Sequence, residues 1–336
     1  MLIIWLQFII CLLLILYAGS RVSKYGDVIA EKSGLGQLWI GFVVLAVITS
    51  LPEFANSISA VTFFDIPDLS VSNIFGACML NIFAIGLLNL VYGFKKNRCI
   101  LNDIAKGNLL TSEMGIILMS LAALAIFISQ GYASLTVFGI SLFSFLILAV
   151  FLIGNRMIFN FEKKQQEELA EKGILAKEYE HISNFEAYSK MVFFALIVIA
   201  VGAWLPYIGE KIAIVMGFKQ TFVGSFFLAV ATVMPEFIVS FFALRLGAIN
   251  MAVGNLLGSY AFNISILPVA DILYRKGSLF AAVSSNNIST ALVALLLMGI
   301  AIIGIKFKPK KKILNIVKYE TSAIIAVYLV WLYFAV

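Results

Sequence analysis

The chain of 336 residues alternates between long apolar segments and short polar stretches. Each apolar segment is close to the ~20 residues with which an α-helix crosses a bilayer. The pattern predicts ten membrane-spanning helices, called segments 1 to 10, at about 2–19, 36–61, 68–93, 110–129, 132–154, 190–209, 219–244, 249–273, 287–306 and 319–336. Segment 1 has no basic residue before Leu16, so we expect a retained helix rather than a cleaved signal peptide.

One long polar stretch, residues 156–189, divides the chain into two units. We interpret it as a cytoplasmic connector, either a charged helix or a flexible linker. The first unit, residues 1–155, and the second, residues 190–336, then hold five predicted helices each.

Polar residues recur in the two units at a nearly constant offset. Glu53 and Glu236 are 183 positions apart, and Asn81 and Asn263 are 182 apart. Because five is an odd number, the second unit enters the membrane from the opposite side. The sequence therefore predicts an all-α integral membrane protein made of two inverted five-helix repeats, a design that places binding sites near the midplane where the repeats meet.

Segments 2 and 7 each carry a proline followed by a glutamate, Pro52-Glu53 and Pro235-Glu236. A carboxylate at membrane depth is costly and indicates a functional site by default. A proline inside a helix also leaves one backbone carbonyl without its usual partner. Each copy of the motif thus offers oxygen ligands of the kind that hard cations prefer.

Other polar residues share the helix faces of these motifs, because residues three or four apart lie on one face. On segments 2, 3, 7 and 8 they are Thr49, Asn56, Ser57, Asn73, Asn81, Thr232, Ser240, Asn255, Ser259 and Asn263. Four polar stripes are too many to face lipid, so we expect them to converge on ion sites between these four segments. Two facing carboxylates would bind a proton unless a cation joins them, and Ca²⁺ suits such a cage better than Mg²⁺.

The composition supports the membrane interpretation. Hydrophobic residues make up 62% of the chain and charged residues 12%, and the mean hydropathy is +1.03. The single histidine, His181, lies in the polar connector, and the three cysteines have no metal-ligand spacing. We therefore expect neither a histidine-ligated metal nor a covalently bound cofactor.

The net charge of +6 is unevenly distributed. Counted over the predicted loops, twenty of the twenty-four lysines and arginines fall on one side of the membrane. Basic residues favour the cytoplasmic side, so both termini are predicted to lie outside the cell, in a multi-pass protein of the plasma membrane. The charge reports orientation, and we expect no nucleic-acid partner.

The paired motifs resemble those of the cation/calcium antiporter superfamily, most closely those of prokaryotic sodium/calcium exchangers. The matching residues are Thr49-Ser50-Leu51-Pro52-Glu53 and Thr232-Val233-Met234-Pro235-Glu236, each followed by Asn-x-x-Gly-x-x-x-x-Asn, at 73–81 and 255–263. The resemblance implies ten helices, a central diamond of four ion sites, exchange of three sodium ions for one calcium ion, and sliding of helices 1 and 6 across the core.

The resemblance also implies roles for individual residues. Those that would bind calcium are Glu53, Glu236, Thr49 and Thr232. Those that would complete the sodium sites or the centre are Ser50, Asn81, Ser259 and Asn263. The family usually has serine where this chain has Val233 and Ala77, so each unit lacks one hydroxyl that the family uses around sodium.

We expect a secondary antiporter that exchanges calcium for sodium by alternating access, and not an enzyme. A proton-coupled exchanger of calcium or another divalent cation is the alternative that the two missing hydroxyls leave open. A passive cation channel is a further alternative, because rings of acidic side chains also select cations. An intramembrane enzyme is disfavoured, since no mid-span serine has a nearby histidine or lysine. The oligomeric state is open, and a monomer is compatible with the sequence.

Overall fold

A computed structural model describes residues 1–32, 46–96, 100–102, 104, 106–131, 135–170, 182–245, 247–308, 312–313 and 317–335. The described chain is almost entirely helical. Its main helices are α1 (Leu2–Lys32), α2 (Ala46–Thr49 and Leu51–Thr62), α3 (Pro67–Lys96), α4 (Lys106–Gly131), α5 (Leu142–Ala170), α6 (Asn184–Met216), α7 (Gln220–Arg245), α8 (Ile249–Leu273), α9 (Asn286–Phe307) and α10 (Tyr319–Ala335). Short helical turns occur at Ile100–Asn102 and Leu279–Ala282, and two-stranded hairpins at Thr136–Val137 with Ile140–Ser141 and at Lys312–Ile313 with Val317–Lys318.

Eight of the described helices are long and apolar enough to cross a membrane. They make the chain a multi-pass membrane protein. The other two predicted spans differ: α10 has 17 residues and is a shorter apolar helix, and residues 33–45, which include much of segment 2, lie outside the described chain. The count of ten spanning helices therefore stays a prediction.

The bounds of segment 5 were predicted wrongly. Its helix starts at Leu142 and not at residue 132, because Thr136–Val137 pairs with Ile140–Ser141 in a hairpin just before it. The helix then runs on to Ala170, well into the predicted connector. The extension is rich in glutamate, lysine and glutamine, which favour helix over coil.

Segment 6 also begins earlier than predicted, at Asn184. The Ser183 hydroxyl accepts a hydrogen bond from the backbone N–H of Glu186, at 3.1 Å, and so caps the first turn. Residues 171–181 of the connector lie outside the described chain. The division into units at 1–155, 156–189 and 190–336 stays a prediction.

Four helices, α2, α3, α7 and α8, pack against one another at the centre of the bundle. The remaining helices cover them from two sides. On one side α1 packs along α6, and these two helices also contact α7 and α2, respectively. On the other side α4 and α5 pack on α8, and α9 and α10 pack on α3. Large apolar side chains on the outer helices, such as Leu6 and Leu196, are exposed, as expected of a surface that faces lipid.

Two glycines bring α1 and α6 close to the prolines of the central helices. A Cβ at Gly19 would lie 2.6 Å from Cγ of Pro235, and a Cβ at Gly202 would lie 3.0 Å from the backbone oxygen of Pro52. Gly19 and Gly202 are 183 positions apart, as are the two prolines. The contact of α1 with α7 and that of α6 with α2 therefore occur at matching positions of the two units.

A buried carboxylate fixes the loop after α8. Asp271 is 1% exposed, and its oxygens accept hydrogen bonds from the backbone N–H of Ser141 at 2.8 Å, the Ser144 hydroxyl at 2.5 Å and the backbone N–H of Leu279 at 2.6 Å. One side chain thus ties together the start of α5, the end of α8 and the short helix that follows it.

We expect Asp271→Ala to lower the stability of the folded protein by about 2–4 kcal/mol, because it leaves three buried donors without an acceptor. Thermal unfolding in detergent, followed by size-exclusion chromatography, measures the effect. The matched control is Asp65→Asn, which removes an exposed ion pair with Lys276 and should change the melting temperature little. Equal melting temperatures for the two variants would contradict the role of Asp271.

Candidate cation site

The first Pro-Glu motif lies at a break in α2. The helix stops at Thr49, Ser50 adopts φ −88° and ψ 13°, and a new helix starts at Leu51 with Pro52 in its first turn. A proline is well tolerated there, because the first N–H groups of a helix have no partner within the helix. Glu53 also lies in that first turn, where the partial positive charge of the helix end favours a carboxylate.

The second motif has a different backbone. In α7 the helix is continuous through Pro235, and the irregular part lies upstream, where Val223–Leu228 forms a π-helical turn. The sequence predicted that the proline disturbs the helix in both copies. A break lies beside the proline in the first copy, whereas in the second the helix continues through Pro235. π-Turns within helices occur frequently at functional sites.

All eight residues singled out as ion ligands are buried. Glu53, Ser50, Thr232, Glu236, Asn81, Ser259 and Asn263 are 0% exposed, and Thr49 is 2% exposed. The two motifs meet, because the hydroxyl of Ser50, three residues before Glu53, donates to the carboxylate of Glu236 at 3.0 Å. The arrangement brings two acidic groups together in the interior of the central helices, where charge is costly unless it is balanced.

Each threonine bonds an asparagine of the other unit in the same way. The Thr49 hydroxyl donates to Oδ1 of Asn255, and the Thr232 hydroxyl donates to Oδ1 of Asn73, both at 3.4 Å. Oγ of Ser259 lies 3.5 Å from Oγ1 of Thr49. The Thr232 hydroxyl lies beside the Glu53 carboxylate without a well-formed hydrogen bond.

The buried polar side chains of the central helices divide into two groups. In the first group, side chains hold helices together: Asn255 Nδ2 donates to the backbone oxygen of Glu236 at 3.2 Å and to the Ser240 hydroxyl at 3.1 Å, and the hydroxyls of Ser57 and Ser70 are 2.5 Å apart. Asn255 and Ser240, which the sequence placed among the polar residues expected to converge on ion sites, thus bridge α7 and α8.

In the second group, buried polar atoms have no protein hydrogen-bond partner within the described residues. They are both carboxylate oxygens of Glu53, Oε2 of Glu236, Nδ2 of Asn73, and the side-chain amides of Asn56, Asn81 and Asn263. The remaining oxygen of Glu236, Oε1, accepts from the Ser50 hydroxyl at 3.0 Å. Buried polar groups are rarely left unpaired, so this concentration indicates a site for a ligand.

The ligand chemistry of this group suits a hard cation. Two carboxylates, amide oxygens and hydroxyls are the ligand types that Ca²⁺ prefers, and sodium ions take neutral oxygens as well. Among the described residues no three or more of His, Cys, Asp and Glu cluster as they would around a transition metal. A cation bound here would be held by two charged groups supported by neutral oxygens.

The helices that carry these residues approach one another very closely. A Cβ at Gly76 of α3 would overlap the backbone of Ser225 in α7, and one at Gly224 of α7 would overlap the side chain of Ser72 in α3. The sequence indicated Gly76 only as part of the repeated Asn-x-x-Gly motif. It gave no role to Gly19 and Gly202, although their spacing of 183 positions, shared with the glutamates, was the signal that could have found them.

Comparison with known proteins identifies the family. The model of the family described as sodium/calcium exchanger protein matches residues 3–153 and 186–336. Among curated relatives, an uncharacterized membrane protein of Methanocaldococcus jannaschii is 26% identical over 300 residues, 88% of each chain. Sodium/potassium/calcium exchanger 1 of Gallus gallus is 37% identical over 103 residues, which are 30% of this chain and 15% of that protein.

Solved structures share the fold. The sodium-calcium exchanger NCX_Mj superposes with a TM-score of 0.63 at 19% identity, over 98% of both chains. The H⁺/Ca²⁺ exchanger CAX superposes with a TM-score of 0.68 at 13% identity, over 98% of this chain and 82% of the other. Together with the family match over both units, these results establish that the chain belongs to the sodium/calcium exchanger protein family.

Proposed function

We propose that the chain is a secondary active antiporter that exchanges calcium for sodium across the membrane by alternating access. The observation that carries the proposal is the pair of fully buried carboxylates, Glu53 and Glu236, in the central helices. Within the described residues neither glutamate forms an ion pair with a basic side chain. A bound cation is then the partner that would offset the cost of burying these charges.

The proposed calcium ligands are Glu53, Glu236, Thr49 and Thr232. Ser50, Asn81, Ser259 and Asn263 would complete the monovalent sites or the centre. Burial of all eight and the free oxygens of Glu53 support this assignment. The names of relatives and of similar structures, which are cation exchangers, support transport rather than enzymatic chemistry and rather than a passive channel.

The proposal includes two inverted repeats. The two stretches matched by the family model start 183 positions apart, the offset that also relates the two glutamates. Five helices in each repeat would place both termini outside the cell, with the connector in the cytoplasm and the protein in the plasma membrane, as the distribution of basic residues predicts. A monomer in the lipid bilayer is sufficient for this mechanism.

Proton coupling is the second candidate, and one observation favours it. Val233 and Ala77, which stand where the family usually has serine, pack with Ala229 in a single apolar cluster. Sodium would find no side-chain oxygen there, whereas a carboxylate can bind a proton without further ligands. In this candidate the protein exchanges calcium or another divalent cation for protons.

Reconstitution into liposomes separates the candidates. We expect calcium uptake when sodium is loaded inside and removed outside, and uptake that stops when a sodium ionophore removes the gradient. An outward proton gradient without sodium tests the alternative, and a potassium gradient serves as the control. Calcium uptake that the proton gradient drives and the sodium gradient does not would exclude sodium coupling. Equal calcium uptake with neither gradient would exclude an antiporter.

A further inference from the structure

We infer that this chain binds a monovalent cation on one side of its carboxylate pair only, the side of Glu236, where two serine hydroxyls remain. On the opposite side, that of Glu53, the two positions that match these serines are Val233 and Ala77, which carry no oxygen in their side chains. The inference rests on the proposed function, because it assumes that the two carboxylates bind the transported ions.

The Glu236 side is lined by hydroxyls from both units. The Ser50 hydroxyl of α2 donates to Oε1 of Glu236 at 3.0 Å. Ser259 of α8 lies beside the same carboxylate, and its Oγ is 3.5 Å from Oγ1 of Thr49. A small cation here would find one carboxylate and three hydroxyl oxygens within a few ångströms.

The matching positions on the other side carry no oxygen. Ser50 corresponds to Val233 at an offset of 183, and Ser259 corresponds to Ala77 at an offset of 182. Val233 and Ala77 pack together with Ala229 in one cluster, with Leu80 against it. Val233 directly follows Thr232, whose hydroxyl lies beside Glu53.

This apolar cluster is buried and offers no side-chain oxygen in place of the missing hydroxyls. Val233 is 4% exposed and Ala77 is 0% exposed. A buried water molecule needs two or more polar partners, and the methyl groups of Val233 and Ala77 provide none. A dehydrated sodium ion at this position would lose its hydration without adequate replacement. The shared divalent site is unaffected, because it depends on the carboxylates and on Thr49 and Thr232.

Competition binding tests the inference on the purified full-length protein in detergent. Radioactive calcium is bound, and sodium chloride is added until the calcium is displaced, at constant ionic strength kept with choline chloride. A Hill coefficient cannot exceed the number of interacting sites. We expect a coefficient of about one for the wild type and of about two for the double variant Val233→Ser with Ala77→Ser.

Two control variants test whether the hydroxyl oxygens cause the change in the Hill coefficient. Val233→Ala removes both γ-methyl groups without adding an oxygen, and should keep the wild-type slope. The reciprocal change, Ser50→Val with Ser259→Ala, should raise the sodium concentration needed for half displacement, taken relative to the calcium Kd of the same variant, at least about tenfold. If that double variant does not fold, the single variant Ser259→Ala gives the same readout, and its elution profile reports folding.

The outcomes separate this inference from the proposed function. Absence of calcium binding to the folded wild type would overturn the proposed function. Calcium binding with a wild-type coefficient of about two, or with an unchanged slope in the Val233→Ser, Ala77→Ser variant, would overturn the one-sided monovalent site alone. A slope that rises in that variant and not in Val233→Ala supports it.

Discussion

Replacing Glu53 or Glu236 with glutamine is expected to weaken calcium binding by ~100-fold or more and to abolish calcium uptake into liposomes. Both side chains are fully buried. Glutamine has nearly the same size and shape as glutamate, so it fits the same space, and each substitution removes one of the two negative charges. Affinity for Ca²⁺ depends strongly on the number of charged ligands. Calcium binding to the purified protein and uptake under an outward sodium gradient measure the two effects.

A matched control makes this prediction specific. Glu113 lies on α4 and is exposed, so Glu113→Gln makes the same chemical change away from the central helices. It should leave calcium binding and the elution profile as in the wild type. If Glu53→Gln eluted normally and bound calcium within about threefold of the wild type, the proposed site would be wrong.

Gly76→Ala is expected to lower both the melting temperature and the yield of folded protein. The new Cβ would overlap the Ser225 backbone in α7. A backbone cannot rotate away as a flexible side chain can, so α3 and α7 must separate, at a cost of about 1–3 kcal/mol or more. Thermal unfolding in detergent measures the loss.

The control for this prediction is Gly299→Ala in α9. A Cβ there has no neighbour within 4 Å, and alanine favours a helix over glycine by roughly 0.5–1 kcal/mol. We expect the melting temperature of Gly299→Ala to stay the same or to rise. If both variants melted like the wild type, the close contact of α3 and α7 would not limit stability.

Calcium uptake by Gly76→Ala should fall along with stability. The central helices α3 and α7 carry Asn73, Asn81, Thr232 and Glu236, and separation of their backbones displaces these groups relative to one another. Ligand geometry matters at this scale, since a site that is loose by about 1 Å loses much of its function.

Much of the helical architecture could be predicted from the chain itself. Hydrophobic runs of the length of a bilayer predicted the positions of α3, α8 and α9 closely, because in lipid every backbone group must be bonded within its own helix. The prediction failed at α5, where a short hairpin precedes the helix and good helix formers extend it to Ala170. Neither feature has a strong hydrophobic signal.

The polar residues of the central helices were also predictable as a group. Glu53, Glu236 and the residues around them are buried together, and the cost of burying them in lipid is the physical reason that their positions are informative. Their individual partners were not predictable. Whether Asn255 contacts an ion or bridges two helices depends on which side chains of α7 lie opposite α8, and in the folded chain it contacts Ser240.

The sequence by itself determined the membrane class of this protein and the pairing of each polar residue with its counterpart in the other unit. It did so because the length of hydrophobic runs and a constant offset are properties of a linear chain. When the two units are aligned by this offset, Val233 and Ala77 appear as one missing hydroxyl in each unit. Only the tertiary structure decided that both losses fall in one place. Which residues of different units become neighbours depends on how the faces of α3 and α7 meet in space, and no spacing along the chain contains that information.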